Sequence, residues 1–97
     1  MMTGFNTDVD YEGRVFHVQT EDKGLENPVV GSLVYAGGEI VTSRRSSYRE
    51  LLGSPEYSDA ELARRMESQH QVITREILSG RFDPDGPRPF GYNIVTN

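Results

Sequence analysis

Apolar and polar residues alternate with a period of two through residues 5–20, FNTDVDYEGRVFHVQT, and the alternation admits one sensible hairpin register. With Glu12 and Gly13 as a two-residue turn, Tyr11 faces Arg14, Val9 faces Phe16, Thr7 faces Val18 and Phe5 faces Thr20, which gathers an apolar face. The opposite face then sets Asn6 against Gln19, Asp8 against His17 and Asp10 against Val15, so a carboxylate and an imidazole become a cross-strand pair. Residues 21–28, EDKGLENP, carry the charges, glycine and Asn-Pro step of a surface loop. A second hairpin follows: residues 29–35 are rich in β-formers, Gly37-Gly38 signals a turn, and residues 39–43 return. Here Tyr35 is expected to face Ile40, Leu33 to face Thr42 and, on the other side, Val34 to face Val41. Apolar residues on both faces predict a hairpin that is central in the sheet, or covered on its second face by the tail or a partner.

The pattern then loosens. Residues 44–57, RRSSYRELLGSPEY, read as a connector with a helical turn around Tyr48 to Leu52, closed by Gly53 and Pro55. Ser58 with Glu61 three residues later is a capping-box signature, and Leu62, Met66, Ile73 and Ile77 recur on one helical face up to a Ser79-Gly80 stop. Such a helix of roughly 21 residues is ~30 Å long, against ~20 Å for six-residue strands, so one end overhangs the sheet. Gln69 and His70 interrupt the stripe, which predicts a face that is partly wet or pairs across an interface. The remaining residues are rich in proline and glycine until Phe90, Tyr92, Ile94 and Val95 restore β character, fit to add an edge strand to this sheet or to a partner's, or to stay disordered until bound. The expected fold is α+β: an antiparallel four-stranded sheet of two hairpins, one long C-terminal helix on one face, a single domain over residues 1–80 and a Pro/Gly-rich tail over 81–97.

A chain of 97 residues with 35% apolar content has a thin core, and a self-associating surface would supply burial that the monomer lacks, so a homodimer is one expectation. The net charge of −5 repels phosphate backbones and argues against nucleic acid as a partner. It is also unevenly placed: residues 1–27 hold six acids against two bases, whereas Arg44, Arg45 and Arg49 cluster after the predicted strands. With no cysteine, disulfides, thiolate metal sites and cysteine nucleophiles are excluded. MMTGFNTDVD has neither a basic region nor an apolar run, and no segment approaches the ~18 apolar residues of a membrane helix, so the reading is of a cytoplasmic chain with no membrane partner.

Chemistry is sparse. Asp8, Asp10 and His17 form the best candidate cluster, with Glu21 and Asp22 continuing the strand end, but one histidine with acids spread along strands falls short of the converging ligands of a zinc site. Asp8 and His17 could be drawn as an acid and base, yet no nucleophile elbow, P-loop or dinucleotide fingerprint accompanies them. The simpler role is a solvated ion pair that fixes register. A metal-binding or hydrolytic protein centred on the first hairpin is therefore the competing reading; no enzyme activity, metal or cofactor is expected. Arg44, Arg45, Tyr48 and Arg49 are better motivated as a protein contact, because arginine and tyrosine are over-represented among interface hot spots. The expected function is a non-enzymatic interaction module, regulator or adaptor, binding another protein through Asp8, Asp10 and His17, through the arginine connector, or through Phe90 and Tyr92 in the tail.

The block FNTDVDYEGRVFHVQTED, followed by GLENPVV, LVYAGGEIV and a Ser-Ser-Tyr, resembles a segment of small bacterial proteins from gliding and delta-type proteobacterial groups. The resemblance spans residues 4–48. More loosely, it is similar to accessory proteins that work with Ras-like small GTPases in bacterial polarity and motility. That likeness would imply a regulator contacting the GTPase switch and its activating protein, with Arg44 or Arg45 as a candidate arginine finger.

Overall fold

The computed structural model describes residues 4–84. Phe90 and Tyr92 lie outside these residues. Strands β1 (Gly4–Tyr11), β2 (Arg14–Asp22), β3 (Val29–Ala36) and β4 (Glu39–Ser47) form one antiparallel sheet in sequence order, followed by a single helical turn, α1 (Arg49–Leu52), and a long helix, α2 (Asp59–Leu78). The fold is α+β.

The first hairpin has the expected register at every pair, from Tyr11 opposite Arg14 to Phe5 opposite Thr20. Its turn requires positive φ at both central residues, met by Glu12 at 54° and Gly13 at 80°. Asp10 stabilises that turn by accepting from the Gly13 amide at 3.1 Å. The second hairpin begins as expected, with Tyr35 opposite Ile40, but Thr42 then faces Val34 and Ser43 faces Leu33. One extra residue, Val41, is accommodated as a β-bulge, and this corrects the expected pairs Leu33 with Thr42 and Val34 with Val41. The bulge lets Val41 pack against the core on the helix side.

Pairing then runs on to Val29 opposite Ser47, so Arg44 and Arg45 belong to β4 and not to a connector. The ladder to β3 satisfies one side of the β4 backbone regardless of its polar side chains. β3 is internal, whereas β4 is an edge, and Ile40 on it is 62% exposed.

Helix α2 starts as its capping signature specifies: the Ser58 hydroxyl accepts from the Glu61 amide at 3.0 Å. Leu62, Met66, His70, Ile73 and Ile77 form its buried stripe. The helix lies equally over β1 and β2, touches β3 little, and does not extend over β4. Two apolar clusters result. One joins Val9, Phe16, Val18, Val34 and Ala36 to Ile73 and Ile77; the other joins Val30, Tyr48 and Leu51 to Leu62 and Met66. No helix among the described residues is long and apolar enough to cross a membrane.

Candidate functional site

Between the two clusters runs a chain of polar side chains. Gln69 Nε2 donates to the Val30 carbonyl at 3.3 Å and to Ser32 Oγ at 2.9 Å. Ser32 Oγ lies 2.6 Å from Thr20 Oγ1, which lies 2.8 Å from His70 Nδ1, and His70 Nε2 lies 2.8 Å from Thr7 Oγ1. The direction of the chain follows from its ends. The Val30 carbonyl only accepts, which orients the Gln69 amide, so Ser32 accepts from Gln69 and passes its own proton to Thr20. Thr20 then donates to Nδ1, and Nε2–H donates to Thr7. The reverse order would strand the Ser32 hydrogen inside the protein, where an unmade bond costs about 1–3 kcal/mol.

His70 is thus a neutral ring, and burial holds its pKa below the ordinary histidine value. The interruption of the apolar stripe at Gln69 and His70 is a satisfied internal network rather than a wet face. A matching signal was present in the strands, where Thr7 and Thr20 sit on the otherwise apolar face of the first hairpin.

Asp8 and His17 meet on the open face of the sheet, with Oδ1 and Nδ1 2.7 Å apart and side chains 70% and 51% exposed. A shallow hollow lined by Asp8, His17, Gln19 and Tyr35 surrounds them. Among the described residues, no three histidine, aspartate or glutamate side chains converge into a group that could hold a metal ion.

The arginine group is divided by the structure. Arg44 points to the helix side and pairs with Glu76 on α2 at 2.7 Å; this contact, more than any other, holds the Glu76 carboxyl below its ordinary pKa. Arg45 is exposed on the opposite face, beside a second hollow lined by Gly31, Leu33 and Ser43. Arg49 opens α1 and is exposed. Neither Arg45 nor Arg49 makes an ion pair among the described residues. Tyr48 turns inward, although it also lines the cleft between α2 and β4. It is 1% exposed, its hydroxyl donates to Asp22 at 2.6 Å, and burial is the main reason its pKa lies well above the ordinary tyrosine value.

Because α2 stops short of β4, a cleft of about 350 Å³ opens between them. Its apolar floor is Val30, Tyr48 and Val72, and its walls are Arg44, Ser46 and Ser47 from β4 with Arg65, Ser68 and Gln69 from α2. Ion pairs brace it: Arg44 with Glu76 ties β4 to α2, and Arg65 with Glu50, also at 2.7 Å, ties α2 to α1. The cleft was not legible in the sequence, because its residues are polar, scattered from position 30 to 72, and joined only by where the helix lies.

No protein-family model, no curated protein and no solved structure matches this chain.

Proposed function

We propose that this protein is a non-enzymatic interaction module that takes an acidic segment of a partner protein on its β4 side. The observation that carries this reading is the cleft between α2 and β4, a braced concave surface with a short apolar floor and guanidinium groups on both walls. Outside the cleft lining, Arg45 on the opposite face of β4 and Arg49 on α1 add exposed positive charge to an otherwise acidic chain of net charge −5. Arginine presents a planar fork of donors suited to carboxylates and loses little on desolvation, so a partner carrying Asp or Glu is the complementary one. The serines on both walls supply adaptable hydrogen bonds, and the existing bridges keep the surface in shape before binding.

The histidines support the same reading by their placement. His70 is enclosed in the internal chain of hydrogen bonds, while His17 lies in the open, bonded to the Asp8 carboxylate.

Panning a random peptide library displayed on phage against the immobilised protein tests this. The enriched peptides should be acidic, and their affinity for the Arg65→Glu variant, its fold checked by circular dichroism, should fall at least about tenfold, or ~1.4 kcal/mol. Enrichment of peptides without acidic residues, or binding unchanged by the charge reversal, would contradict the reading.

A further inference from the structure

Among the described residues the sheet ends in two edges, β1 and β4, and they differ in how well they are defended. β4 carries a bulge at Val41 and two adjacent arginines, devices that keep an edge strand from pairing. β1 has an uninterrupted register over its length, with no proline, lysine or arginine. Its two acids are already engaged, Asp8 with His17 and Asp10 with the Gly13 amide. We propose that the β1 edge is a homodimer interface, on which a second copy of this chain adds its own β1 antiparallel about Thr7 and continues the sheet across a two-fold axis.

The backbone sets which groups are on offer. A two-residue turn makes Tyr11 and Arg14 the hydrogen-bonded pair that closes it, and pairs alternate from there. Residues 5, 7, 9 and 11 therefore bond to β2, and Gly4, Asn6, Asp8 and Asp10 direct their N–H and C=O groups outward. A symmetric antiparallel pair centred on Thr7 sets Asn6 opposite Asp8 of the second copy as a hydrogen-bonded pair. Phe5 then faces Val9 of the second copy, and Thr7 faces its own counterpart. Cross-strand pairs of these kinds are favourable. Centring on Asp8 instead would place two like charges opposite each other, and centring on Asn6 would shorten the overlap.

The helix agrees with this choice. β1 and α2 run in the same direction, since Phe5 packs with the cluster of Met66, Thr7 bonds to His70, and Val9 packs with Ile73 and Ile77. A two-fold axis beside Thr7 therefore passes beside His70 and Gln71. Antiparallel helices related about Gln71 bring Glu67 opposite Arg75 of the second copy, twice by symmetry. Neither residue makes an ion pair among the described residues, and both line an open groove between β1 and α2. The spacing also closes. With strands ~4.8 Å apart and α2 over the middle of β1 and β2, its axis lies about one strand spacing from the two-fold, so the two helices stand ~10 Å apart, within the range of packed helix pairs.

This interface is separate from the β4 side, so each reading can fail alone. Sedimentation equilibrium of the full chain over a wide concentration range, with charge reversals at the helix pair, tests it. The wild type should be a dimer. Glu67→Arg and Arg75→Glu should each raise the dimer dissociation constant at least about tenfold. The double reversal should restore it, because the pair is then rebuilt with exchanged signs. Asn6→Pro, which removes an outward N–H and no bond to β2, should give a folded monomer. A wild type that stays monomeric at millimolar concentration overturns the proposal. So does a dimer indifferent to both single reversals, or one that survives Asn6→Pro with the fold intact by circular dichroism.

Discussion

The two halves of the sheet are built on opposite plans. Under α2, β1 and β2 bury Val9, Phe16 and Val18 against Ile73 and Ile77, and the polar groups among them are paired to completion. On the other side, β4 has no helix directly above it, gives the core only the partly buried Val41, sets Arg44 and Ser46 at further inward positions and carries Ile40 on the open face in solvent. Burial is thus concentrated under α2, and the peptide site proposed above falls outside that half. The covered half supplies the burial, which frees the uncovered half to be polar without endangering the structure.

The largest effect should come from opening the covered half. Phe16→Ala removes a side chain that is 1% exposed and should cost about 3–5 kcal/mol, whereas Ile40→Ala on β4 should stay within about 0.5 kcal/mol. Urea denaturation of the two variants measures the contrast directly, and similar losses at both positions would erase the distinction drawn here.

Next in size is the polar chain. Thr20→Val preserves shape but leaves His70 Nδ1 without its partner and Ser32 with only its bond from Gln69, for an expected loss of about 1–3 kcal/mol. The same chain makes stability depend on pH with a definite sign. Burial lowers the folded-state pKa of His70, so between that value and the unfolded value of about 6.5 the unfolded chain binds more protons. The contribution is complete above about pH 6.5 and is lost as pH falls toward the folded value. The neighbouring strands present the Thr7 and Thr20 hydroxyls and the Phe5 ring to the imidazole, and the charged groups lining its groove are Glu67 and Arg75 of α2. His70→Gln should flatten this part of the pH profile; an unchanged profile would show that the ring is not held neutral.

A smaller effect is expected where the halves are tied together. Glu76→Gln weakens the bridge to Arg44, whose side chains are 20% and 30% exposed, and should cost about 1 kcal/mol or less. Its consequence for the cleft should exceed its consequence for stability, since peptide binding to the β4 side would lose a braced wall while the fold remains.

The first hairpin was legible because two constraints coincide there, a turn with its glycine where positive φ is needed and an alternation that permits one register. The long helix was legible for a similar reason, with Ser58 and Glu61 marking its start and an apolar stripe marking its face. The bulge was not, since Val41 differs in no local property from a residue in regular pairing. The length of β4 was missed because Arg44, Arg45, Ser46 and Ser47 look like a connector; their strand conformation comes from β3, which supplies the hydrogen bonds. Tyr48 looked like a surface contact among arginines and serines, and only the position of Asp22 and of the second cluster shows why it turns inward. Local pattern conveys elements, whereas a site assembled across elements depends on where the helix comes to rest.

Amide hydrogen exchange at the two edges, followed residue by residue at high and low protein concentration, tests this account most directly. The outward amides of Asn6 and Asp8 should be protected at high concentration and lose that protection on dilution, while the outward amides of β4 should exchange freely at both. Free exchange at Asn6 and Asp8 under all conditions, or protection along β4 instead, would contradict the assignment of the two edges.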